Sequence, residues 1–174
     1  MDQLRYPIGP FTSAGPQTAE ERKMSIEELR TMAARLRGII EPLSEEQLNT
    51  PYRPGGWSVK QVVHHLADNN MNAYLRFKRG LTEEAPEIPS YREDLWAELS
   101  DYSSEPVETS LLLLENLNRR FALVLTSLEE AQYSRTFVSL MLGTMTLDTA
   151  LQRYNWHNRH HLAQITSLIE RSGW

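Results

Sequence analysis

Apolar residues early in the chain recur at helical steps: Ile26, Leu29, Met32, Leu36, Ile39 and Ile40 fall on one side of a helical repeat. Two capping boxes compete to start this helix, Thr18 with Glu21 and Ser25 with Glu28. In each, side chains three residues apart can satisfy free backbone N–H groups. Pro42 and Leu43 mark its end, since proline cannot continue the hydrogen-bond ladder. "SEEQLNTPYRPGGW" predicts a short helical turn and then a loop, after which Ser58 with Gln61 caps a second long helix reaching Phe77 or Arg79. "TEEAPEIPSY" reads as a second loop and "REDLWAEL" as a short connecting helix. Pro106 suits the first turn of a third long helix, with Leu113, Leu114, Leu117, Phe121, Val124 and Leu128 on or near one side. "TFVSLMLGTMT" breaks the helical period, and its β-branched residues around Gly143 predict a short strand-like excursion. The last helix runs from Thr146 or Leu147 to about Ser172, with Gly173 as its stop.

These elements predict an all-α fold, a four-helix bundle with long crossover loops and the strand-like excursion before the last helix. The whole chain, 1–174, reads as one domain. Its first segment, 1–17, is a proline- and glycine-punctuated extended arm whose Tyr6, Ile8 and Phe11 can pack down. Apolar residues are 40% of the chain and charged residues 24%, which fits a well-solvated helical domain. No apolar run is long enough for a transmembrane helix, and the first residues lack the pattern of a signal peptide, so cytoplasmic residence is the default. The net charge of −5 argues against a nucleic-acid partner, which would need a basic surface. The absence of cysteine removes disulfides, thiol nucleophiles and thiolate zinc sites.

Any metal must then be held by imidazole, carboxylate or amide groups. All five histidines fall in two stretches, "VKQVVHHLADNNMNAY" and "YNWHNRHHLAQIT". His157 and His161 are four apart and share a helix face. His160 points partly away, while His64 and His65 are adjacent and diverge around their helix, so periodicity does not decide which of them faces inward. Three imidazoles on one ion leave positions open, an arrangement suited to catalysis rather than to a structural site. Asp68, Asn69, Asn72, Tyr154 and Gln164 are nearby polar groups able to orient the ligands.

"GGWSVKQVVHHLADNNMNAYLRFK" and "WHNRHHLAQI", with "YPIG", "TPYRPGGW", "LTEEAPEIPSY" and the terminal "RSGW", resemble the DinB-like superfamily of metal-binding four-helix bundles. The resemblance is to its YfiT-type branch of candidate metal-dependent hydrolases and extends along nearly the whole chain. It implies that the metal ligands are His65, His157 and His161, with His160 and Gln164 at positions the superfamily keeps polar. It also implies one zinc or nickel ion per subunit and a cytoplasmic homodimer. "TFVSLMLGTMT" looks shorter than the corresponding hairpin of some members.

Three functions follow as expectations. The first is a metal-dependent hydrolase acting on a small-molecule substrate. The second is a thiol S-transferase using a low-molecular-weight thiol such as bacillithiol. It is motivated by the same three ligands and by the absence of an obvious general base beside them, since Asn158 and Arg159 follow His157 where a metalloprotease helix would place a glutamate. The third is a non-enzymatic metal-responsive binding module. No catalytic acid or base is identified. Arg53 and Trp57 read as structural, the first in a Pro54–Gly55–Gly56 turn and the second as a staple on the second helix.

Overall fold

Thr18, rather than Ser25, starts the first helix: its hydroxyl accepts from Glu21 N while the Glu21 carboxylate accepts from Thr18 N. A computed structural model describes residues 3–174. Met1 and Asp2, the first two residues of the expected arm, lie outside the described residues. The elements are α1 (Ala19–Ile40), α2 (Glu45–Leu48), α3 (Val59–Thr82), β1 (Glu87–Ile88), α4 (Glu93–Trp96), α5 (Ser100–Ser104), α6 (Val107–Thr126), a 3-10 turn (Glu130–Ser134), β2 (Thr136–Ser139), β3 (Gly143–Thr146) and α7 (Leu147–Ser172). The four long helices α1, α3, α6 and α7 form the expected bundle. No helix among the described residues is long and apolar enough to cross a membrane.

Cross-helix pairs give the directions. Arg37 meets Glu108 and Asn118 Nδ2 bonds Leu29 O, so α1 and α6 run antiparallel. Arg22 meets Asp148 and Arg159 meets Glu28, so α1 and α7 run parallel. Asn70 meets Asn158 and Arg76 meets Tyr154, so α3 opposes α7. The order is up, down, down, up, with α1 and α3 each packed on both α6 and α7. Two helices in the same direction, α3 and α6, need a return over the full bundle length. Residues 83–106 make it, carrying β1, α4 and α5.

The strand-like excursion is an antiparallel hairpin, β2 on β3, with Phe137 opposite Met145. "TEEAPEIPSY" is more than a loop, because Glu87 and Ile88 add to β2 as a parallel strand. Helix α3 runs past Arg79 to Thr82. Gly80 permits this, since a Cβ there would lie 2.9 Å from Leu147 Cδ2, and the Arg135 guanidinium binds the carbonyls of Gly80 and Glu83. Pro106 caps α6 from outside its first turn.

The interior has two apolar lobes. One gathers Leu36, Val62, Leu66, Leu114 and Ile165; the other gathers Phe77, Phe121, Phe137, Leu147 and Leu151. Between them lies a waist of buried amides, Asn70, Asn118, Asn155 and Asn158. Asn70 Nδ2 donates to Asn158 Oδ1 at 2.9 Å, and Asn155 Nδ2 donates to Ser25 O at 2.7 Å. Each amide bonds across to another helix, which offsets the cost of burying it.

Phe121 is fully buried with its ring edge-on to Tyr74 and Phe77. Phe121→Ala is expected to cost about 3–5 kcal/mol. Leu112→Ala, at a position 48% exposed, should stay within about 0.5 kcal/mol of the parent. Urea denaturation of the two variants checks both.

Candidate metal centre

The antiparallel seam of α3 and α7 brings three ring nitrogens together. His65 Nε2 lies 3.3 Å from His157 Nε2, and His161 Nε2 lies 3.2 Å from the same atom. The three candidate ligand atoms all lie within 4.8 Å of one another. For a tetrahedral ion with metal–nitrogen bonds of about 2.0–2.1 Å, neighbouring ligand atoms stand about 3.3 Å apart. Both contacts match that edge, so the donors present fit a divalent transition metal.

Of the adjacent pair, His65 joins the cluster and His64 turns toward α6. His64 Nδ1 pairs with Ser110 Oγ at 2.7 Å and its ring faces Tyr102, away from α7. His160 also stands apart, its ring against Tyr6 and stacked on Trp156.

A chain of hydrogen bonds sets one ligand's tautomer. Gln164 Nε2 donates to Arg5 O at 2.8 Å, so the amide orientation is pinned by a group that can only accept. Its oxygen then faces His161 Nδ1 at 2.8 Å and accepts the proton there, leaving Nε2 with a free lone pair. The same amide nitrogen meets His160 Nε2 at 3.0 Å. The Asn69 amide nitrogen lies 3.1 Å from His157 Nδ1; a flip of that carboxamide, which exchanges its oxygen and nitrogen, would let it accept the Nδ1 proton of the second candidate ligand in the same way. Of the polar groups considered from sequence, Asn69 and Gln164 therefore touch ligands. Asp68 instead accepts from Tyr102 OH at 2.7 Å, Asn72 bonds Asp68 O within its helix, and Tyr154 OH accepts from Arg76.

Burial holds the imidazoles neutral, the form that ligates metal. His65 is pushed down to about 4 by desolvation. His157 and His161 are held well below 6.5, first by desolvation and then by neighbouring histidines.

The three histidines open into a cavity of about 540 Å3. Trp57 stands over two of them, its ring centroid 4.7 Å from His65 and 6.3 Å from His161. Its loop is folded back by Tyr52 N bonding to Trp57 O, turns at Gly55 with φ 67°, and is tied to α7 by Arg171 on Tyr52 O. Trp57 is thus part of the site as well as a structural residue, which its place before a capping serine did not reveal. Arg53 lines the same cavity, as do Tyr91, from the second loop, and Arg76 and Arg153. The arm closes one side through Arg5 and Tyr6.

Comparison with known proteins agrees with this architecture. Residues 28–165 match the family profile of the DinB superfamily. Proteins of Bacillus mycoides strain KBAB4 and Bacillus cereus strain 03BB102, both named "Putative metal-dependent hydrolase", are each 47% identical over 174 residues, covering 100% of both chains. The solved structure of YfiT from Bacillus subtilis, described as a probable metal-dependent hydrolase with an unusual four-helix bundle topology, superposes with a TM-score of 0.96. It is 43% identical and covers 99% of each chain. The four-helix bundle protein TT2238 shares the fold alone, at a TM-score of 0.55 and 19% identity over 81% of this chain and 94% of its own.

Two outcomes follow from the geometry. Gln164→Leu removes the acceptor that orients His161 and should weaken zinc or nickel binding about 10–100-fold, measured by competition with a chromophoric chelator. The second concerns pH. Because the His65 ring is depressed from 6.5 to about 4 on folding, the unfolded chain binds more protons between those values. The corresponding stability is complete above about pH 6.5 and is lost as the pH falls toward about 4. The urea midpoint of metal-free protein should fall across this window, and His65→Phe should flatten the slope.

Proposed function

Because this chain belongs to the DinB superfamily, we propose that it is a metal-dependent hydrolase in which His65, His157 and His161 hold one divalent ion, zinc or nickel. The observation that carries this reading is the convergence of three neutral Nε2 atoms, at 3.2 and 3.3 Å, on the wall of a 540 Å3 cavity. A structural zinc is closed by four protein ligands, whereas three leave room for a small-molecule substrate. When bound, the ion supplies Lewis acidity, acidifying water and polarising a substrate oxygen at neutral pH.

The chain's own residues do the positioning. Gln164 keeps the proton of His161 on Nδ1, away from the reacting side, and Asn69 does the same for His157 once its amide oxygen is turned to that ring. Trp57 covers His65 and His161 and keeps bulk water from that face. Burial raises the Tyr91 phenol, so at neutral pH it faces the cavity as an O–H donor able to bond a substrate oxygen.

One observation favours a second reading, transfer of a low-molecular-weight thiol. Among the described residues, the groups hydrogen-bonded to the Nδ1 atoms of His157 and His161 are carboxamides, not carboxylates. No carboxylate among the described residues is hydrogen-bonded to these histidines to serve as a general base for water.

Loading with zinc or nickel should stimulate hydrolysis across a panel of small esters and amides. Chelation or His157→Ala should each lower the rate by about a hundredfold or more. Metal-loaded protein that is inert on the panel but couples a thiol to an electrophile would replace hydrolysis with transfer.

A further inference from the structure

The helix faces that meet at the histidines continue toward the β-hairpin. Along α7, Arg153, His157 and His161 are spaced by four and share one face. Along α3, His65, Asn69 and Arg76 follow the same stripe. Since the helices oppose each other, Arg76 and Arg153 come together about one turn, roughly 6 Å, beyond His157. Both line the cavity that the histidines open into.

The partners of these two guanidinium groups are neutral. Arg76 Nη1 donates to Tyr154 OH at 2.8 Å and Nη2 to Pro89 O at 3.5 Å. Arg153 lies over the rings of Phe11 and Trp156, at 5.7 and 5.9 Å. Neither takes part in an ion pair among the described residues. The acids among the cavity-lining residues are Asp94 and Glu93. Asp94 is already gripped by Arg92, at 2.6 and 2.9 Å, and Glu93 is exposed.

Such a pair is unexpected for a chain of net charge −5 with 23 acidic residues available. Burial and the nearby Arg76 both lower the Arg153 pKa, with Tyr154 opposing them, so the cation is held at an electrostatic cost. Two like charges taken partly out of water and given no carboxylate are stabilised when an anion arrives. The planar guanidinium fork matches two oxygens of a carboxylate or phosphate.

We propose that Arg76 and Arg153 form an oxyanion subsite that binds a carboxylate or phosphoryl group of the substrate and sets the adjoining bond against the three imidazoles. The substrate class is then a small anionic molecule. This deepens the hydrolase reading and rests on it for the identity of the reacting end, while the anion contact itself requires no metal.

The test uses the full-length protein after chelation, so that no ion can draw the anion. Inorganic phosphate and succinate are titrated by calorimetry at low salt. One or both should bind, more weakly as salt is added, and Arg153→Gln and Arg76→Gln should each weaken binding about tenfold or more. Arg120→Gln, on the exposed face of α6, should leave it unchanged. Because a cavity variant can misfold, the parent protein is also modified with phenylglyoxal and digested for mass spectrometry. Phosphate or succinate should slow modification of Arg76 and Arg153 severalfold and leave Arg119 and Arg120 unaffected. Binding of phosphate alone identifies a phosphoryl group, of succinate alone a carboxylate, and of both a general oxyanion subsite. If neither anion binds, or if protection misses these two arginines, the subsite is refuted even where ester hydrolysis is found. If protection is seen but the ester panel is inert, the subsite stands and the hydrolase reading falls.

Discussion

The register between α3 and α7 governs everything functional in this molecule, and a buried pair of amides sets it. Asn70 Nδ2 also binds Leu66 O, within its own helix, so the side chain is oriented before it reaches Asn158. A slip of one residue along either helix would strand both amides in a site without water, at about 1–3 kcal/mol for each unmet group. His65 and His157 lie within five residues before Asn70 and one before Asn158. The same constraint that locks the amides therefore brings the ring nitrogens into range.

Layers outside the seam complete the site without holding it up. The loop carrying Trp57 is anchored by Arg171 from α7. The arm reaches Gln164 through a single main-chain carbonyl, that of Arg5. A carbonyl can fix the Gln164 amide whatever side chain stands at position 5, because only its acceptor character matters. The proton position on His161 is thus determined from a segment more than 150 residues away and by chemistry invisible in a side-chain motif.

Much of the fold was legible because local rules carried it. The caps at Thr18, Ser58 and Thr146, and the glycine stop at Gly173 in the left-handed region, are marked in the chain itself. The clustering of His65, His157 and His161 was readable from spacing and from family resemblance together. What escaped depended on distant neighbours. Two residues, Glu87 and Ile88, become a strand only because β2 lies alongside. Ser25 loses to Thr18 as the start of α1, and its carbonyl, about two turns inside the helix, accepts from Asn155. Periodicity alone could not separate His64 from His65, and the contact that turns His64 away, Ser110 of α6, lies 46 residues further on. Arg76 and Arg153 look like ordinary helix-surface cations until the antiparallel seam brings both to the wall of one cavity.

The waist also shapes the electrostatics of the cavity. His65, His157 and His161 beside it are neutral at physiological pH because desolvation, and for the last two the neighbouring histidines, disfavour the charged form. Among the described residues of α3 and α7 that line the cavity, the formal charges are the two guanidinium groups, so their contribution to its field is positive before any ion enters and would be more so with a divalent cation bound. That sign is opposite to the net charge of the chain, which is −5. Low-dielectric walls of tryptophan, tyrosine and packed helix concentrate the field in the cavity rather than spreading it over the surface. A cationic ligand meets two repulsions there, from the arginines and from the ion. An anionic one meets two attractions arranged about a turn apart, which selects both its charge and the direction in which it lies.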